Sequence, residues 1–570
     1  MKKNVPLFLL LSFGWMGSCA DLSPQREVSL AEFSEYIHGK DIGFALRKAV
    51  DHCKEIGASK LTIPYGQYEV TPDYASERYV WASNNDEGLK RIAFDLTDMS
   101  DFEIDGNGSS IVFSGFVSPF LILNSKNIQV RNVDIDYART FHSEGTITHI
   151  HNDGMNILFS NAFPYKVEQD LLYFYDARGT RYPYSNLLEF DPVKRETAFM
   201  AKDYWLRHPL PAKDLGNGEV RIYREGLTGT IGNTLVFGAA NRNVPAFTIS
   251  DSKGVTIEQV KIYHCGGMGV IAQRSRDIEL NTVQVTPTPG SGRVVSITAD
   301  ATHFVRCSGY IRMINCLFEQ QKDDATNIHG IYAAIVAIRT PKEIVVKLMH
   351  TQQYGFALAK MGDSIEFVAS KSLIMLGENK VKKIEAINKE YYQIEFEKEI
   401  PQSVELKDVI APIGDAPEVL IKGCTLRGNR ARGLLLGSRG TMVIEENYFH
   451  IPGAAILFEG DGNYWYEQSG VRNVWIKNNI FDNCNYGVWG NALFQVGSGI
   501  YERREESRYH RNIVIENNTI KAFDPRMVNL YCVDGFLFQN NRIEKTQAYP
   551  QRFNDAEPFV VTFSDHVTIK

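Results

Sequence analysis

The sequence predicts an all-β chain wound as a right-handed parallel β-helix, with an N-terminal helical cap and two antiparallel β-rich insertions. Three observations carry this. First, one short pattern recurs: an apolar-alternating strand, a polar pair, and another apolar residue. It appears as VRNVDI (130–135), IEQVKI (257–262), LNTVQV (280–285), MINCLF (313–318), IKGCTL (421–426), IEENYF (444–449), IKNNIF (476–481), IENNTI (515–520) and FQNNRI (538–543). Second, three pairs of neighbouring copies start 23 residues apart, at 257 and 280, 421 and 444, and 515 and 538, while spacings of 33, 32 and 39 mark coils with loops inserted. A period in the twenties with β-branched strands is the signature of a solenoid. Third, the Asn pairs suit left-handed turn positions and can stack coil on coil. A leucine-rich repeat would need regular Leu spacing and helical segments, and neither is present.

The length of 570 residues exceeds what one compact core supports, so growth by repeats fits it. Apolar residues at 44% and charged residues at 23% describe a folded chain, and a net charge of −7 without a long basic run argues against nucleic acid as a partner. Aromatics at 11% are compatible with sugar-stacking surfaces. Residues 1–20 read as a secretory signal: Lys2 and Lys3, a short apolar core from Val5 to Phe13, then small residues. The run is too short to span a bilayer. Cys19 fits either a lipoprotein box, with a lipid anchor on its thiol, or the flank of an ordinary cleavage site. Either way the expectation is an exported protein, in the periplasm or on the outer membrane of a Gram-negative bacterium.

The elements then follow in order. Residues 21–137 form the cap and first coils. DIGFALRKAVDHCKEIG has apolar residues at Ile42, Phe44, Ala45, Ala49 and Val50, near helical spacing, and Gly57 stops the helix before the strand LTIPYGQYEV. A cap is needed because the first coil otherwise leaves an open edge. Residues 138–240, rich in Tyr, Phe and Gly turns, read as antiparallel hairpins. Residues 241–330 return to the helix. Residues 331–415 read as a small barrel of strands such as AAIVAIR, IVVKLMH and YYQIEFE, placed to overhang whatever precedes it, and 416–570 complete the coils. The eight cysteines, at 19, 53, 265, 307, 316, 424, 484 and 532, form no CxxC pair, which argues against a zinc site. Cys316 and Cys424 share a repeat position and read as stacked core residues, not a bridge.

The chemistry gathers between Val294 and Gly330. Asp300 and Asp323 lie 23 residues apart, one period, so they are expected on adjacent coils roughly 4.8 Å apart, with Asp324 beside them. In a straight strand Asp323 and Asp324 would point to opposite faces, but KDDATN suits a bend. Three acids this close cannot all ionise cheaply, so at least one keeps its proton near neutrality, the division of labour that glycoside hydrolysis requires. Inverting enzymes hold their carboxyls roughly 6.5–9.5 Å apart, which such a cluster can supply. The expected roles are Asp323 as general acid, with Asp300 and Asp324 holding and deprotonating the water. Other readings stay open: a solvated turn pair, a cation site, or a lyase with Lys322 or Arg306 as base.

The order Asp300, Asp323-Asp324, His329-Gly330 resembles polygalacturonase-type inverting glycosidases, although here the His-Gly follows Asp324 by only five residues. The whole chain more closely resembles the α-1,3-galactosidases of glycoside hydrolase family 110, through ITADATHF (297–304), EQQKDDATNIHG (319–330), FEGDGNYWYEQSG (458–470), the cap and both insertions. The resemblance implies exo-hydrolysis, with inversion, of terminal α-1,3-linked galactose on blood group B-type and linear glycans. It also implies no metal, no cofactor and a homodimer. His303, Asn327 and His329 flank the acids and are candidates to bind sugar hydroxyls. Arg274, 26 residues before Asp300, is a candidate one coil below. Glu459, Asp461 and Trp465 form a Gly-rich turn able to stack on galactose and take its hydroxyls. Glu502, Glu505 and Glu506 read as a solvated charge run. A hydrolase or lyase of uronic-acid polymers, and a non-catalytic glycan-binding adhesin, are the competing functions.

Overall fold

The computed structural model describes residues 26–554 and 556–570; the expected signal and Cys19 lie outside the described residues. The chain forms a parallel β-helix with three strand faces per coil. Two faces meet at the recurrent polar pair and make one 22-stranded sheet, and the third face belongs to a separate 13-stranded sheet. One coil shows the plan: Lys253–Glu258, a turn at Gln259-Val260, Lys261–Ile262, then Val270–Gln273 on the third face. Coils pair in parallel register, Ile257 on Leu280 and Ile421 on Ile444.

The turn explains the sequence pattern. Its first residue is left-handed: Asn478 at φ 58°, Asn517 at 58° and Asn540 at 54°. Asn tolerates this region better than most residues because its short amide bonds locally. The second residue points inward and stacks along the axis. In early coils it is Val133, Val260 and Val283, each fully buried; then come Cys316 and Cys424, then Asn447, Asn479, Asn518 and Asn541. The asparagines form an amide ladder, Asn447 Nδ2 donating to Asn479 Oδ1 (2.9 Å), Asn479 to Asn518 (3.0 Å) and Asn518 to Asn541 (2.9 Å). The Cys316 amide donates to Cys424 Sγ at 3.4 Å, and all seven described cysteines are free and buried, so this pair is a stack. Elsewhere the bore is filled by aromatic columns, Phe94 on Phe120 and Phe120 on Phe247, with ring centroids 4.4 and 4.5 Å apart.

The cap helix Gly43–Ile56 buries Ala45, Leu46, Ala49, Val50 and Cys53 over the first coil. It ends at Gly57, φ 61°, with the Ala58 amide donating to the Cys53 carbonyl, a left-handed C-cap. The first insertion runs from strand Ser143–His151 to Thr234–Ala239, an eight-stranded antiparallel sheet beside a three-stranded one. The second, from Ala333–Thr340 to Val409–Ile413, is a closed six-stranded barrel. Its core residues Ile335, Ile344 and Ile394 are continuous with Ile271 and Val305, which face outward from the third sheet. The first insertion instead packs Leu188, Phe190 and Val236 onto Val294 and Val295. Both insertions thus grip the stretch that carries the aspartates.

Candidate active site

The aspartates precede two paired strands of the third face, Thr302–Val305 and Thr326–Ile331. The register pairs Thr302 with Thr326 and His303 with Asn327, one position more than the expected period. Asp300 therefore stacks in phase with Asp324: the amide of Ala301 donates to the Asp324 carbonyl. Asp323 sits one residue earlier, in a bend that brings both neighbours to one side. On the next coil Arg432 occupies the same phase, with the Ala325 amide donating to the carbonyls of Arg432 and Gly433. These residues floor a cavity of about 110 Å³, walled by Arg242, Asn327, Glu459, Trp465, Glu467 and Gln352 of the second insertion.

All three carboxyls are buried, at 3%, 9% and 1% exposure for Asp300, Asp323 and Asp324, but their partners differ. Asp323 takes one guanidinium on each oxygen, Arg242 at 2.6 Å and Arg430 at 2.8 Å. Asp324 takes the Arg432 side chain, at 2.6 and 3.2 Å, and the Arg432 amide at 2.8 Å. Asp300 meets no guanidinium among the described residues; its Oδ2 lies 2.6 Å from His303 Nδ1. Burial, then the charge of Asp323, pushes Asp300 up to about 8. Burial pushes Asp324 up to about 7 even in the grip of Arg432, with Asp323 and Asp300 adding to the shift. Burial would also raise Asp323, but Arg430, Arg242 and Arg432 outweigh it and hold its carboxyl below the ordinary value. In the free site these opposed shifts favour a proton on Asp300 or Asp324 and the anion on Asp323. The expected split, with Asp323 as the acid, asks Asp323 to hold a proton that its two guanidiniums oppose in the free site.

The other candidates divide. His303 lines the cavity, and so does Asn327, whose buried Oδ1 has no partner among the described residues. Glu459 faces in, raised to about 7 by burial. Trp465, 44% exposed, stands at the mouth against His350 and Tyr464. Asp461 borders the cavity, but its carboxylate accepts the amides of Asn463 (2.8 Å) and Trp465 (3.1 Å), so it builds the turn instead of reaching a sugar. His329 stands behind His303, with Nε2 2.9 Å from His303 Nε2, and not on the wall. Arg274 is not in the site at all. Its amide bonds to the Val305 carbonyl, at the far end of the strand from Asp300, and its guanidinium pairs with Asp251 at 2.6 and 2.8 Å. The residues beneath Asp300 are Met268 and Gly269, because the intervening coil carries an inserted loop and sets Val270 against Thr302.

Arg242, Arg430, Arg432 and Glu467 were not anticipated. Arg432 left a signal: it follows Asp324 by one period once the barrel stretch 331–415 is taken out of the count. Arg242 left none, since it stands where the first insertion rejoins the coils. That insertion also supplies Asp203, which holds Arg430 at 2.8 Å, and Asn186, which accepts from Lys322. Lys322 and Arg306, the bases a lyase would need, are engaged, Arg306 with Asp363 and Asp415 at 2.9 and 2.6 Å. Among the described residues no set of three or more His, Cys, Asp or Glu side chains forms a metal shell. A wider cleft of about 390 Å³ lies elsewhere, but its acids are satisfied, Glu196 by His450 and Tyr549, and Glu319 by Arg427.

Residues 143–234 match the GLAA-B beta-barrel domain I, 343–410 the GLAA-B beta-barrel domain II, and 413–569 the right-handed beta helix region. The chain is 34% identical over 551 residues to alpha-1,3-galactosidase A of Shewanella woodyi, covering 96% of this chain and 90% of that one. It is 30% identical over 514 residues to alpha-1,3-galactosidase B of Bacteroides thetaiotaomicron, covering 88% and 83%. It is 30% identical over 596 residues to an alpha-1,3-galactosidase B of Phocaeicola vulgatus, covering 99% of both. With both insertions, the coils and near full-length similarity in agreement, the chain belongs to the α-1,3-galactosidases of glycoside hydrolase family 110.

Proposed function

We propose that this chain is an exo-acting, inverting glycosidase that removes terminal α-1,3-linked galactose from blood group B-type and linear glycans. The observation that carries the reading is a small cavity, open at one mouth, whose floor holds three carboxyls of unequal proton affinity. A cavity of about 110 Å³ suits a terminal sugar and not the middle of a chain. On this reading Asp300 protonates the leaving oxygen, while Asp323, with Asp324, holds and deprotonates the attacking water. Asn327 and Glu459 take galactose hydroxyls, and Trp465 stacks at the mouth, where the remainder of the glycan leaves.

The test is the anomer of the first-formed galactose by NMR, run on wild type and on Asp→Asn variants. Inversion is expected, and a retained anomer would defeat the mechanism. Asp300→Asn should keep much of its activity on an activated aryl galactoside and lose it on a disaccharide. Asp323→Asn should lose both. The opposite pattern would make Asp323 the donor, which the site reaches only if the sugar draws Arg242 away from it. Export directed by residues 1–20, with Cys19 either lipidated or lost at an ordinary cleavage, and assembly as a homodimer complete the proposal. Palmitate labelling lost in Cys19→Ala and light scattering of the purified enzyme test them.

A further inference from the structure

Three short contacts string Asp300, two histidines and a backbone carbonyl together: Asp300 Oδ2 to His303 Nδ1 at 2.6 Å, His303 Nε2 to His329 Nε2 at 2.9 Å, and His329 Nδ1 to the Gly330 carbonyl at 2.7 Å. A carbonyl only accepts, so His329 Nδ1 carries a hydrogen. Two imidazole nitrogens at 2.9 Å require a hydrogen between them, since two lone pairs would repel. The carboxyl and His303 Nδ1 at 2.6 Å likewise share one. The two neutral rings supply only two of these three hydrogens. The chain therefore holds one proton more than an ionised aspartate with two neutral histidines.

We infer that Asp300, His303 and His329 hold one exchangeable proton in common, which passes between the Asp300 carboxyl and the Glu467 side of the site through the two imidazoles. Two arrangements contain the same protons. In one, Asp300 is a carboxylic acid donating to His303 Nδ1, and His303 Nε2–H donates to His329. In the other, His329 is the imidazolium and donates to His303 Nε2, while His303 Nδ1–H donates to ionised Asp300. In the second arrangement the charge faces Glu467 Oε1, 3.6 Å from His329 Nε2. Each hop breaks one O–H or N–H bond and makes another, so no outside partner is needed. The groups facing the chain are Asp323 and Asp324 at its own sheet edge, Arg242 after the first insertion, Arg432 on the next coil, and Glu467 with His350 beyond it. None of them gives Asp300 a hydrogen bond, so the histidines form its hydrogen-bonded route, while burial and the charge of Asp323 bias where the proton lies. Burial, which drives His303 well below its ordinary value and Asp300 up to about 8, favours the first arrangement.

The inference rests on Asp300 being a reacting group. In turnover the Asp300 O–H bond breaks as the leaving oxygen is protonated, and the chain is then one proton short. The water gives up one proton per turnover to the Asp323–Asp324 side, and exchange with solvent, which releases that proton and returns one to the chain, restores the balance. His303 and His329 are positioning residues, because they act through Asp300.

The direct test needs no substrate. In protein labelled with ¹⁵N-histidine, with signals assigned from His303→Asn and His329→Gln, His329 should be the Nδ1–H tautomer and His303 the Nε2–H tautomer at neutral pH. Partial imidazolium character on His329 at the expense of Asp300 also supports the chain. A His303 ring that is Nδ1–H while His329 is neutral would overturn it, whatever the activity. The kinetic arm compares His329→Phe, which removes the acceptor, with His329→Gln, whose amide oxygen can replace it. In the Phe variant His303 is free to turn its hydrogen toward Asp300. The pH-rate limb governed by Asp300 should then move toward acid by about one unit or more, with KM little changed. The Gln variant should stay near wild type. Uniform loss of activity in both variants with no displaced limb would show a merely structural role and overturn the inference.

Discussion

Replacing Arg242 with Met tests whether Asp323 works as an anion. Arg242 contributes one of the two guanidiniums on Asp323, at 2.6 Å, and Arg430 keeps the other oxygen at 2.8 Å. A contacting guanidinium lowers a carboxyl by about 1–3 units. The Arg242 side chain is 28% exposed, so solvent screens part of this, and the lower end applies. The expected change is about one unit, or roughly 1.4 kcal/mol between the two protonation states. The sign follows from the direction of the native shift. Asp323 is held low, so its anion persists as pH falls; without Arg242 it takes a proton at a higher pH. The acid limb of kcat/KM should move up by about one unit, with the activity near neutral pH reduced chiefly through KM if the arginine also touches the sugar. The assay is a pH-rate profile on a disaccharide, with wild type alongside. An unmoved acid limb refutes the reasoning. An alkaline limb that moves up instead identifies Asp323 as the proton donor.

Further outcomes follow from other contacts. Asn479→Ala leaves the Asn447 amide and Nδ2 without their buried acceptor, which should cost roughly 2–6 kcal/mol at about 1–3 per orphaned donor. Hydrogen exchange in the C-terminal coils should accelerate, and unchanged protection would refute the ladder's contribution. Asp300 is raised from 3.8 to about 8, so its contribution to stability is full below pH 4 and lost as pH rises toward 8. Asp300→Asn should therefore gain in melting temperature on wild type across that window, and a constant difference would count against the buried, protonated carboxyl. Trp465→Ala should raise KM about 2–10-fold, the worth of one aromatic contact, with kcat nearly unchanged. Arg274→Ala should leave both constants at wild-type values, because its guanidinium serves Asp251.

The coils were legible because the turn chemistry repeats: an inward residue after a left-handed one, at a spacing the eye can measure. The acids were legible because Asp300 and the Asp323-Asp324 pair fall within one uninterrupted coil. Their phase was not, since the strand pairing there runs one position past the period and moves Asp300 onto Asp324. The arginines were hidden by chain distance. Arg432 is separated from Asp324 by a whole barrel, and Arg242 reaches Asp323 from the end of the other insertion. Arg274 misled for the reverse reason: its distance from Asp300 looked like one coil, while the coil between them is lengthened by a loop and pairs Val270 with Thr302. Function lay in side chains whose proximity depends on inserted lengths, and periodicity cannot supply those.

The inward column at the coil corner changes from valine through cysteine to asparagine, and this has a consequence for alignment. Valine on valine makes a smooth contact that tolerates small axial displacement. An amide chain does not, because every oxygen must meet one particular nitrogen above it. The C-terminal half of the solenoid is thus indexed like a vernier, with Asn447, whose Oδ1 receives the Cys424 amide at 2.8 Å, as its first mark. Arg430 and Arg432 ride on the turn just below that mark. Their reach across to Asp323 and Asp324 is set by a scale written in asparagines far from the sugar.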